Sequence, residues 1–587
     1  MFRKISLIFI IIIFASTAYS QDKPNTKYWI YFKDKGSVKP GAKITPGSDA
    51  YEKGKALLTE RAIQRRLKVL TEENLIDFGD VPLEEKYVNE ISKLNISLIA
   101  KSRWLNGVSA YLTPVQVGKI KSLNFVADVV SVRRLNKQRF EVRDFISENL
   151  FNENNFSFPL EKSRLNYGKS FTQMTTVNVI KAHDMNITGK GVFLANIDDG
   201  FEWRTHQALN TLSVLGEHDF VNNDDNAAKE DYQKYPDPFS QGQHGTATLS
   251  IMSAKFDGKL YGPAFDSDII LAKSEYVGSE TPMEEDFWLE AAEWVEAQGV
   301  DVITSSLNYK KWDSPYDENT YTYKDKNGNR AITTIAADRC AYLGIVVCNS
   351  IGNYYQTDEP SLSSPADGDS IITVGAVNYQ GKIAYFSSNG PTSDGRIKPD
   401  VVAPGIDIWV AEAPSVSQND STYKYGDGTS YAAPIVAGIA GLILSVHPEL
   451  TPMQVREAIR NTANNSSSPN NVYGWGLVNA YDALLYWGPV WSNMPEYKYD
   501  DGGVYVSIYL ASKDMIDKEG VNFTYDNSGE KIQRNAILVE SLLDGNNSGK
   551  YEAFIPNVNE QNKIPNFEFT TMVNGKAVKW STAGFNK

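Results

Sequence analysis

Cysteine is nearly absent from this sequence: Cys340 and Cys348 are the two cysteines among 587 residues. A fold that depends on several disulfides and a zinc site built from cysteines are therefore excluded. Histidine is scarce as well, with five residues, and none of them stands in a His-Glu-x-x-His motif. A zinc hydrolase of that type has no support in the sequence, and we expect no catalytic metal.

Positive charge is also in short supply. Lys and Arg number 58 against 72 Asp and Glu, which gives a net charge of −14, and no long basic run occurs. Because nucleic-acid binding needs a concentrated basic surface, we expect no nucleic-acid partner. With 42% apolar and 22% charged residues the composition is that of a globular protein, and the length suits roughly three domains.

Long apolar runs are confined to the N-terminus. In residues 1–20 (MFRKISLIFIIIIFASTAYS), Arg3 and Lys4 precede an apolar run, and Ala18 and Ser20 are small residues ahead of Gln21. This pattern predicts a cleaved signal peptide; the alternative is a retained anchor, for which the run is short of the ~20 residues of a bilayer span. We expect a secreted protein, which includes periplasmic or cell-surface placement, and no later membrane span.

The rest of the chain divides by pattern into four segments. Residues 27–135 predict a small α+β domain, and the polar residues 136–166 predict a linker. Residues 167–487 alternate short apolar runs with helical stretches, which indicates a doubly wound α/β domain with a mainly parallel sheet. Short strands separated by Asn, Gly and Ser predict a small β domain over residues 488–587.

Three short motifs in the α/β segment carry side chains suited to nucleophilic catalysis. Asp198 ends an apolar strand, His244 opens a helix of small residues, and Ser430 opens a deeply apolar helix. Taken singly, they also fit a turn residue, a packed histidine and a helix N-cap. Taken together they supply a weak nucleophile with the base that it needs and a carboxylate to orient that base, in the chain order Asp, His, Ser.

The sequence resembles the subtilisin-like serine proteases (subtilases, peptidase family S8). The resemblance rests on Asp-Asp-Gly at 198–200, His-Gly-Thr at 244–246 and Gly-Thr-Ser-Tyr-Ala-Ala-Pro at 428–434. Further matching segments follow in the family's order: 304–308, 350–353, 364–366, 374–377, 386–390 and 398–405. Residues 27–135 resemble the inhibitory prodomain of subtilases.

The resemblance implies a role for each matching residue. Ser430 would be the nucleophile, His244 the general base and Asp198 its orienting acid, with Asn353 and the Ser430 N–H as the oxyanion hole. The substrate pocket would be lined by two matching segments, which comprise Ser306, Leu307, Asn308, Ser350 and Gly352.

Two positions depart from the common family pattern. Asp199 stands where Thr or Ser is usual, which resembles the kexin-like branch and leaves open either a local turn role or a contact with a basic substrate residue. Asn308 replaces a usual Gly on the pocket wall, so that its side chain would narrow or polarise the pocket.

Two further features each allow two readings. The run Asn222 to Asn226, with Glu230 and Asp231, offers oxygen ligands for a structural calcium ion or forms a solvated acidic loop. Cys340 and Cys348 are expected as buried thiols or, less readily, as a disulfide.

The sequence therefore predicts an exported serine endopeptidase that is made as a precursor, acts on protein or peptide substrates and is inhibited by its own prodomain. The chemistry would need no cofactor. The alternative is a catalytically inactive exported binding protein on the same scaffold.

Overall fold

A computed structural model describes residues 26–131, 163–314, 316, 320–542, 545–561 and 563–582. The expected signal peptide at 1–20 and most of the linker, residues 136–162, lie outside the described residues, so both stay predictions. We use the names N-terminal domain for residues 26–131, central domain for residues 163–487 and C-terminal domain for residues 490–582.

The N-terminal domain is an antiparallel four-stranded sheet of order β2-β3-β1-β4 with helices. Its elements are β1 (Thr26–Phe32), α1 (Asp49–Lys55), α2 (Glu60–Arg66), α3 (Glu85–Ser92), β2 (Leu98–Ser102), β3 (Gly107–Leu112), α4 (Pro114–Lys121) and β4 (Val126–Ser131). The pattern from Gly54 to Leu70 predicts one helix, but the structure breaks it because the Thr59 side chain caps a new helix by accepting the Ala62 N–H.

The central domain is built on a seven-stranded parallel sheet of order β13-β12-β11-β10-β5-β9-β6, which confirms the predicted α/β class. Its helices are α5 (Phe171–Thr176), α6 (Val179–Asp184), α7 (Gln243–Ser253), α8 (Met283–Gln298), α9 (Ile332–Tyr342), α10 (Pro414–Ser417), α11 (Thr429–Val446), α12 (Pro452–Asn461) and α13 (Ala480–Leu484). Its strands are β5 (Phe193–Asp198), β6 (Ser213–Asp219), β7 (Lys255–Phe256), β8 (Leu260–Tyr261), β9 (Asp268–Lys273), β10 (Val302–Ser305), β11 (Val346–Ser350), β12 (Ile372–Val377), β13 (Val401–Pro404), β14 (Ile408–Ala411) and β15 (Tyr423–Gly426).

Both faces of the parallel sheet are covered, which explains why its strands read as continuous apolar runs. Helices α7 and α11 share one core with one face, and α8 and α9 share a second core with the other. Helix α11 lies against α7 closely enough that a Cβ added at Gly438 would come within 3.2 Å of the Met252 carbonyl oxygen. Small residues in α11 therefore permit its burial.

Helix α11 also corrects one expectation. Within the part of the chain that the structure describes, it is the one helix with the length and hydropathy of a membrane span, with 83% of its 18-residue window buried in the fold. The expectation that no stretch after the N-terminus has that composition was wrong, because a buried core helix of Ala, Gly, Ile and Leu meets the same criteria.

The C-terminal domain consists of two antiparallel sheets that enclose one apolar core. Its strands are β16 (Val490–Trp491), β17 (Glu496–Asp500), β18 (Gly503–Ala511), β19 (Asn522–Asn527), β20 (Glu530–Asn535), β21 (Ile537–Ser541), β22 (Gly549–Pro556), β23 (Phe567–Val573) and β24 (Lys576–Ser581). The predicted β-rich C-terminal domain is thus observed.

The N-terminal domain lies on helix α8 through buried polar contacts. Asp286 accepts hydrogen bonds from Lys27 Nζ at 2.6 Å and Trp29 Nε1 at 3.1 Å, and Glu296 accepts two from Arg66 at 2.8 Å each. The N-terminal domain therefore supplies the hydrogen-bond partners of these two buried acids of α8.

The structure bears on the two cysteines and on the acidic loop, each of which the sequence left with two readings. Cys340 and Cys348 are both buried free thiols and do not form the disulfide. In the acidic loop, Asp224 Oδ2 accepts a hydrogen bond from Gln233 Nε2 at 3.2 Å, and Glu230 pairs with the same amide. At the base of the loop Lys273 Nζ lies 2.9 Å from Asp219 and 2.7 Å from Asp237, so that an ammonium group balances these buried carboxylates. A structural calcium ion stays a prediction.

The buried pair between Glu296 and Arg66 yields a prediction. Replacing Glu296 by Gln leaves the buried Arg65 guanidinium without its carboxylate partner and Arg66 with Asp80 alone, and we expect the free energy of unfolding in urea to fall by ~3 kcal/mol. Burial alone would raise the pKa of Glu296, but Arg65 and Arg66 lower it, so its contribution is present above the ordinary pKa of about 4.3 and is lost as the pH falls through the lowered pKa.

The matched control is Asp49→Asn, which removes an exposed ion pair with Lys53 one helical turn away. Its effect is expected to be below ~0.5 kcal/mol. Equal effects of the two substitutions would contradict the assignment of the Glu296 contact as a main connection between the domains.

Candidate active site

The three sequence motifs meet at the carboxyl edge of the parallel sheet. Asp198 is the last residue of β5, in the middle of the sheet, while His244 and Ser430 lie in the first turns of α7 and α11. Sites of α/β proteins form beyond this edge because strands end there and helices begin.

Asp198 and His244 are directly bonded. The Asp198 Oδ1 lies 2.6 Å from His244 Nδ1, and its Oδ2 accepts a hydrogen bond from Thr248 Oγ1 at 2.9 Å. Asp198 is fully buried, and its Oδ1 also accepts the Asp199 N–H at 2.8 Å. The carboxylate is therefore fixed, and it holds the Nδ1 of His244 so that Nε2 is left for proton transfer.

Asp199 supports the same histidine through the backbone. Its carboxylate accepts the Gly245 N–H at 2.7 Å and the His244 N–H at 3.3 Å, and the residue is 2% exposed. Burial and then the charge of Asp198 raise the pKa of Asp199 to about 7. Of the two readings of Asp199, this geometry favours the local one, in which the acid binds free N–H groups at the start of α7.

The electrostatic surroundings favour the protonated form of His244. Burial by itself would lower the pKa of His244. The charge of Asp198, the hydrogen bond with Asp198 and the charges of Asp199 and Glu275 outweigh burial and raise the pKa to about 9. The site is therefore built to stabilise an imidazolium ion.

Ser430 lies beside this pair at the start of α11. The ring of the next residue, Tyr431, stacks on the His244 ring with centroids 6.3 Å apart. The Ser430 hydroxyl donates a long hydrogen bond of 3.4 Å to the Ser306 carbonyl, while Ser306 Oγ donates to the Ser430 carbonyl at 2.8 Å. The nucleophile candidate is thus held between the histidine side and the 306–308 segment.

Asn353 faces the same point as the Ser430 N–H. Its Oδ1 accepts hydrogen bonds from the Thr429 N–H at 3.0 Å and Thr429 Oγ1 at 2.9 Å, which leaves Nδ2 as the outward donor. A Cβ added at Gly428 would lie 3.6 Å from the Ser430 nitrogen and 3.7 Å from Asn353 Nδ2. Two N–H donors therefore border one small volume, as binding of an oxyanion requires.

The residues expected in the substrate pocket are brought together, with one difference in placement. Asn308 Nδ2 donates to Ser350 Oγ at 2.5 Å and to the Ser306 carbonyl at 3.3 Å, so the amide joins the two expected walls. Leu307 is only 4% exposed and packs in the core between the sheet and α8. A Cβ added at Gly352, whose φ is +111°, would come within 2.8 Å of Ser363 Oγ, so glycine is required there.

Three residues of this site also have the spacing of a small metal site. Asp198, Asp199 and His244 each offer one ligand atom, and these three atoms lie within 4.8 Å of one another. These atoms already bond to each other or to backbone N–H groups, so the set is explained without an ion.

Sequence reasoning missed several residues that position the site. Thr248 lies one helical turn after His244, and this spacing could have identified it as a second contact of Asp198. Gln241 is fully buried and donates to the Glu275 carbonyl at 2.6 Å, and its Oε1 accepts the Val277 N–H at 3.0 Å. No sequence signal marks Gln241, since its role depends on two loops that meet only in the fold.

Comparisons with known proteins agree with this geometry. Residues 189–476 match the subtilase family, and residues 27–144 match the peptidase S8 propeptide domain of Bacteroidota. The serine protease AprX of Bacillus subtilis is 30% identical over 333 residues, which cover 53% of this chain and 70% of AprX. Subtilisin of Bacillus pumilus is 32% identical over 312 residues, which cover 52% of this chain and 97% of that protein.

A solved structure supports the fold over most of the chain. Fervidolysin from Fervidobacterium pennivorans, a keratinolytic enzyme related to subtilisin, matches 95% of this chain and 75% of its own length, with 18% identity and a TM-score of 0.52. On the two family matches and the identity to whole subtilisins, the chain belongs to the subtilase family, the S8 family of serine endopeptidases, and carries the family's propeptide domain ahead of its protease domain.

Proposed function

We propose that this protein is an exported, self-processing endopeptidase in which Ser430, His244 and Asp198 form the catalytic triad. The observation that carries the proposal is the 2.6 Å bond between a fully buried Asp198 and His244, next to a serine at a helix N-terminus. Export is supported by the signal-like residues 1–20.

In the proposed reaction, Ser430 Oγ turns from the Ser306 carbonyl toward His244 Nε2 and gives it a proton as it attacks the substrate carbonyl carbon. The Ser430 N–H and Asn353 Nδ2 bind the oxyanion of the tetrahedral intermediate. The imidazolium then protonates the leaving amine as the C–N bond breaks. Water, deprotonated by the same His244, hydrolyses the acyl-enzyme and restores the serine.

The precursor form follows from the domain order. The propeptide domain binds α8 and lies ahead of the protease domain, and the connecting segment 136–166 is where we place the cleavage. The substrates would be proteins or peptides, with the propeptide domain as an intramolecular inhibitor. The competing function, an inactive binding protein on this scaffold, predicts an intact triad geometry without turnover.

The first test is Ser430→Ala. The variant should remain a full-length precursor during expression, and it should not react with a fluorophosphonate probe that labels the processed wild type. Ser421→Ala, in an exposed loop, is the control and should behave like wild type. Processing of purified Ser430→Ala at the wild-type rate would rule out self-cleavage through this serine.

The second test is the pH profile of kcat/KM. Because the general base must be neutral, kcat/KM should rise with pH through the pKa of His244, which lies above 6.5 and near 9. Asp199→Asn removes a negative charge that favours the imidazolium, so the rise should move to lower pH. A rise centred below pH 6.5 in the wild type would contradict the charge arrangement described here.

The third test concerns the pocket. Asn308→Gly removes the amide that joins Ser350 to the 306–308 segment and should widen the pocket. We expect the preference for large aromatic over small side chains at P1 to increase by about tenfold, the change that one to two kcal/mol of pocket contacts gives. An unchanged P1 profile in a peptide library would show that Asn308 lies outside the pocket.

A further inference from the structure

The loop between β9 and α8, residues 274–282, lies along the candidate cleft. Its first residue, Ser274, donates its N–H to the Asp198 carbonyl at 3.0 Å. Near its end, the Glu280 carbonyl accepts the Asp313 N–H at 2.8 Å, and the Asp313 carboxylate accepts the Glu280 N–H at 2.9 Å. Since Asp313 follows the pocket segment 306–308, this loop is connected to the side of the cleft that takes the acyl part of the substrate.

Three glutamates of this region have no cationic partner. Among the residues that the structure describes, Glu275, Glu280 and Glu284 form no ion pair, although Glu284 is fully buried. Burial, followed by the charges of neighbouring acids, raises the pKa of Glu275 and of Glu284. We name Glu275, Glu280 and Glu284 the acidic cluster.

Other buried acids of the same domain are balanced from within the chain. Asp219 and Asp237 share the buried ammonium of Lys273. Asp400 lies 2.8 Å from Lys398 Nζ and 2.7 Å from Arg456 Nε. The acidic cluster, in contrast, has no such cation among the described residues. The raised pKa values of Glu275 and Glu284 favour their neutral forms, and a cation from outside the chain would favour the charged forms.

Unpartnered polar atoms surround the cluster. Glu284 Oε2 and the Tyr309 hydroxyl are both buried and have no hydrogen-bond partner, and Tyr309 is 1% exposed. The hydroxyls of Ser274 and Thr281, in the loop itself, are in the same state. Because an unsatisfied buried polar group costs ~1–3 kcal/mol, their concentration at one place indicates a ligand with several N–H donors.

The cluster is close to the reacting groups. Glu275 contributes to the raised pKa of His244, and Glu275 and Glu280 contribute to that of Tyr354, which follows Asn353. Gln241 Nε2 donates to both the Glu275 and the Asp199 carbonyl, which places the start of the loop beside the residues that hold His244. Glu280 is exposed and Glu275 is partly exposed, so these two residues form the solvent-facing side of the acidic cluster. Glu284 and Tyr309 are buried and form its inner side.

We propose that the acidic cluster is a substrate subsite for an arginine or lysine side chain on the acyl side of the scissile bond, between P2 and P4. The inference rests on the proposed function, because it assigns P positions relative to Ser430. Guanidinium and ammonium groups supply the N–H donors and the positive charge that the cluster lacks. The subsite does not use Asp199, whose carboxylate is bonded to the start of α7.

The chain itself contains a basic sequence that overlaps the start of the segment 136–166, in which we place the cleavage. The stretch after β4 carries the basic residues Arg133, Arg134, Lys137, Arg139 and Arg143 against the single acid Glu141 up to residue 143. The net-acidic composition of the whole chain makes this local excess of positive charge distinctive. A basic side chain is therefore available to the acidic cluster in the first substrate that the enzyme meets.

The test compares peptide substrates that differ in one charge. Mature enzyme is assayed with internally quenched peptides that carry arginine or its uncharged isostere citrulline at P2, P3 or P4. At one of these positions kcat/KM should be at least tenfold higher for arginine, and the ratio should fall as salt is raised. Equal rates for arginine and citrulline at all three positions would overturn the proposal.

Variants then assign the preference to the cluster. Glu275→Gln with Glu280→Gln should bring the arginine-to-citrulline ratio close to one, whereas Glu519→Gln, an exposed acid of the C-terminal domain, should leave it at the wild-type value. A ratio that persists in the double variant would overturn the assignment. Each protein is titrated with a fluorophosphonate, so that rates refer to active sites and misfolded protein is not counted.

The same titration separates two kinds of failure. If wild-type enzyme is neither labelled nor able to cleave any peptide, the proposed function itself is wrong. If it is labelled and cleaves citrulline and arginine peptides equally, the protease stands and the acidic subsite is wrong.

Discussion

The site depends on one constraint, which is that the carboxylate of Asp198 must stay ionised while fully buried at the end of a central strand. A buried charge is stable only with complete hydrogen bonding and an opposite partner. His244, Thr248 and the Asp199 N–H meet this requirement, and two of them belong to the first turns of α7. Strand β5 and helix α7 are therefore fixed to each other by the same contacts that orient the imidazole, so that folding and preorganisation of the base are a single event.

The contact between the propeptide domain and α8 combines buried charges with apolar packing, because Trp29 lies in the core that α8 shares with the sheet. Asp286 and Glu296 are buried only while the N-terminal domain supplies Lys27, Arg65 and Arg66. In the separation that we propose, water would solvate the exposed charges, while the apolar surface around Trp29 would be uncovered as well.

Much of the fold and the candidate triad could be predicted from sequence because they depend on local pattern. Continuous apolar runs predicted the parallel strands, and Asp198 at a strand end with His244 and Ser430 at helix starts predicted the candidate triad. The part that could not be predicted depends on partners distant in the chain. The Asp-Asp-Gly motif does not reveal that Asp199 accepts a hydrogen bond from the start of α7. The sequence also does not show whether a cation lies beside a given acid: Lys273 pairs with Asp219, whereas no described residue forms an ion pair with Glu275.

The negative charges around His244 have opposite effects on two stages of catalysis. In the proposed reaction, Asp198, Asp199 and Glu275 would stabilise the imidazolium that forms when Ser430 is deprotonated, which lowers the barrier. They would also favour the protonated form of His244 in the free enzyme, and a protonated histidine cannot act as the base. A cation bound at the acidic cluster would offset the charge of Glu275 and lower the pKa of His244. Recognition of a basic residue would thereby favour the neutral base only when substrate is present, while Asp198 continues to stabilise the imidazolium during the reaction.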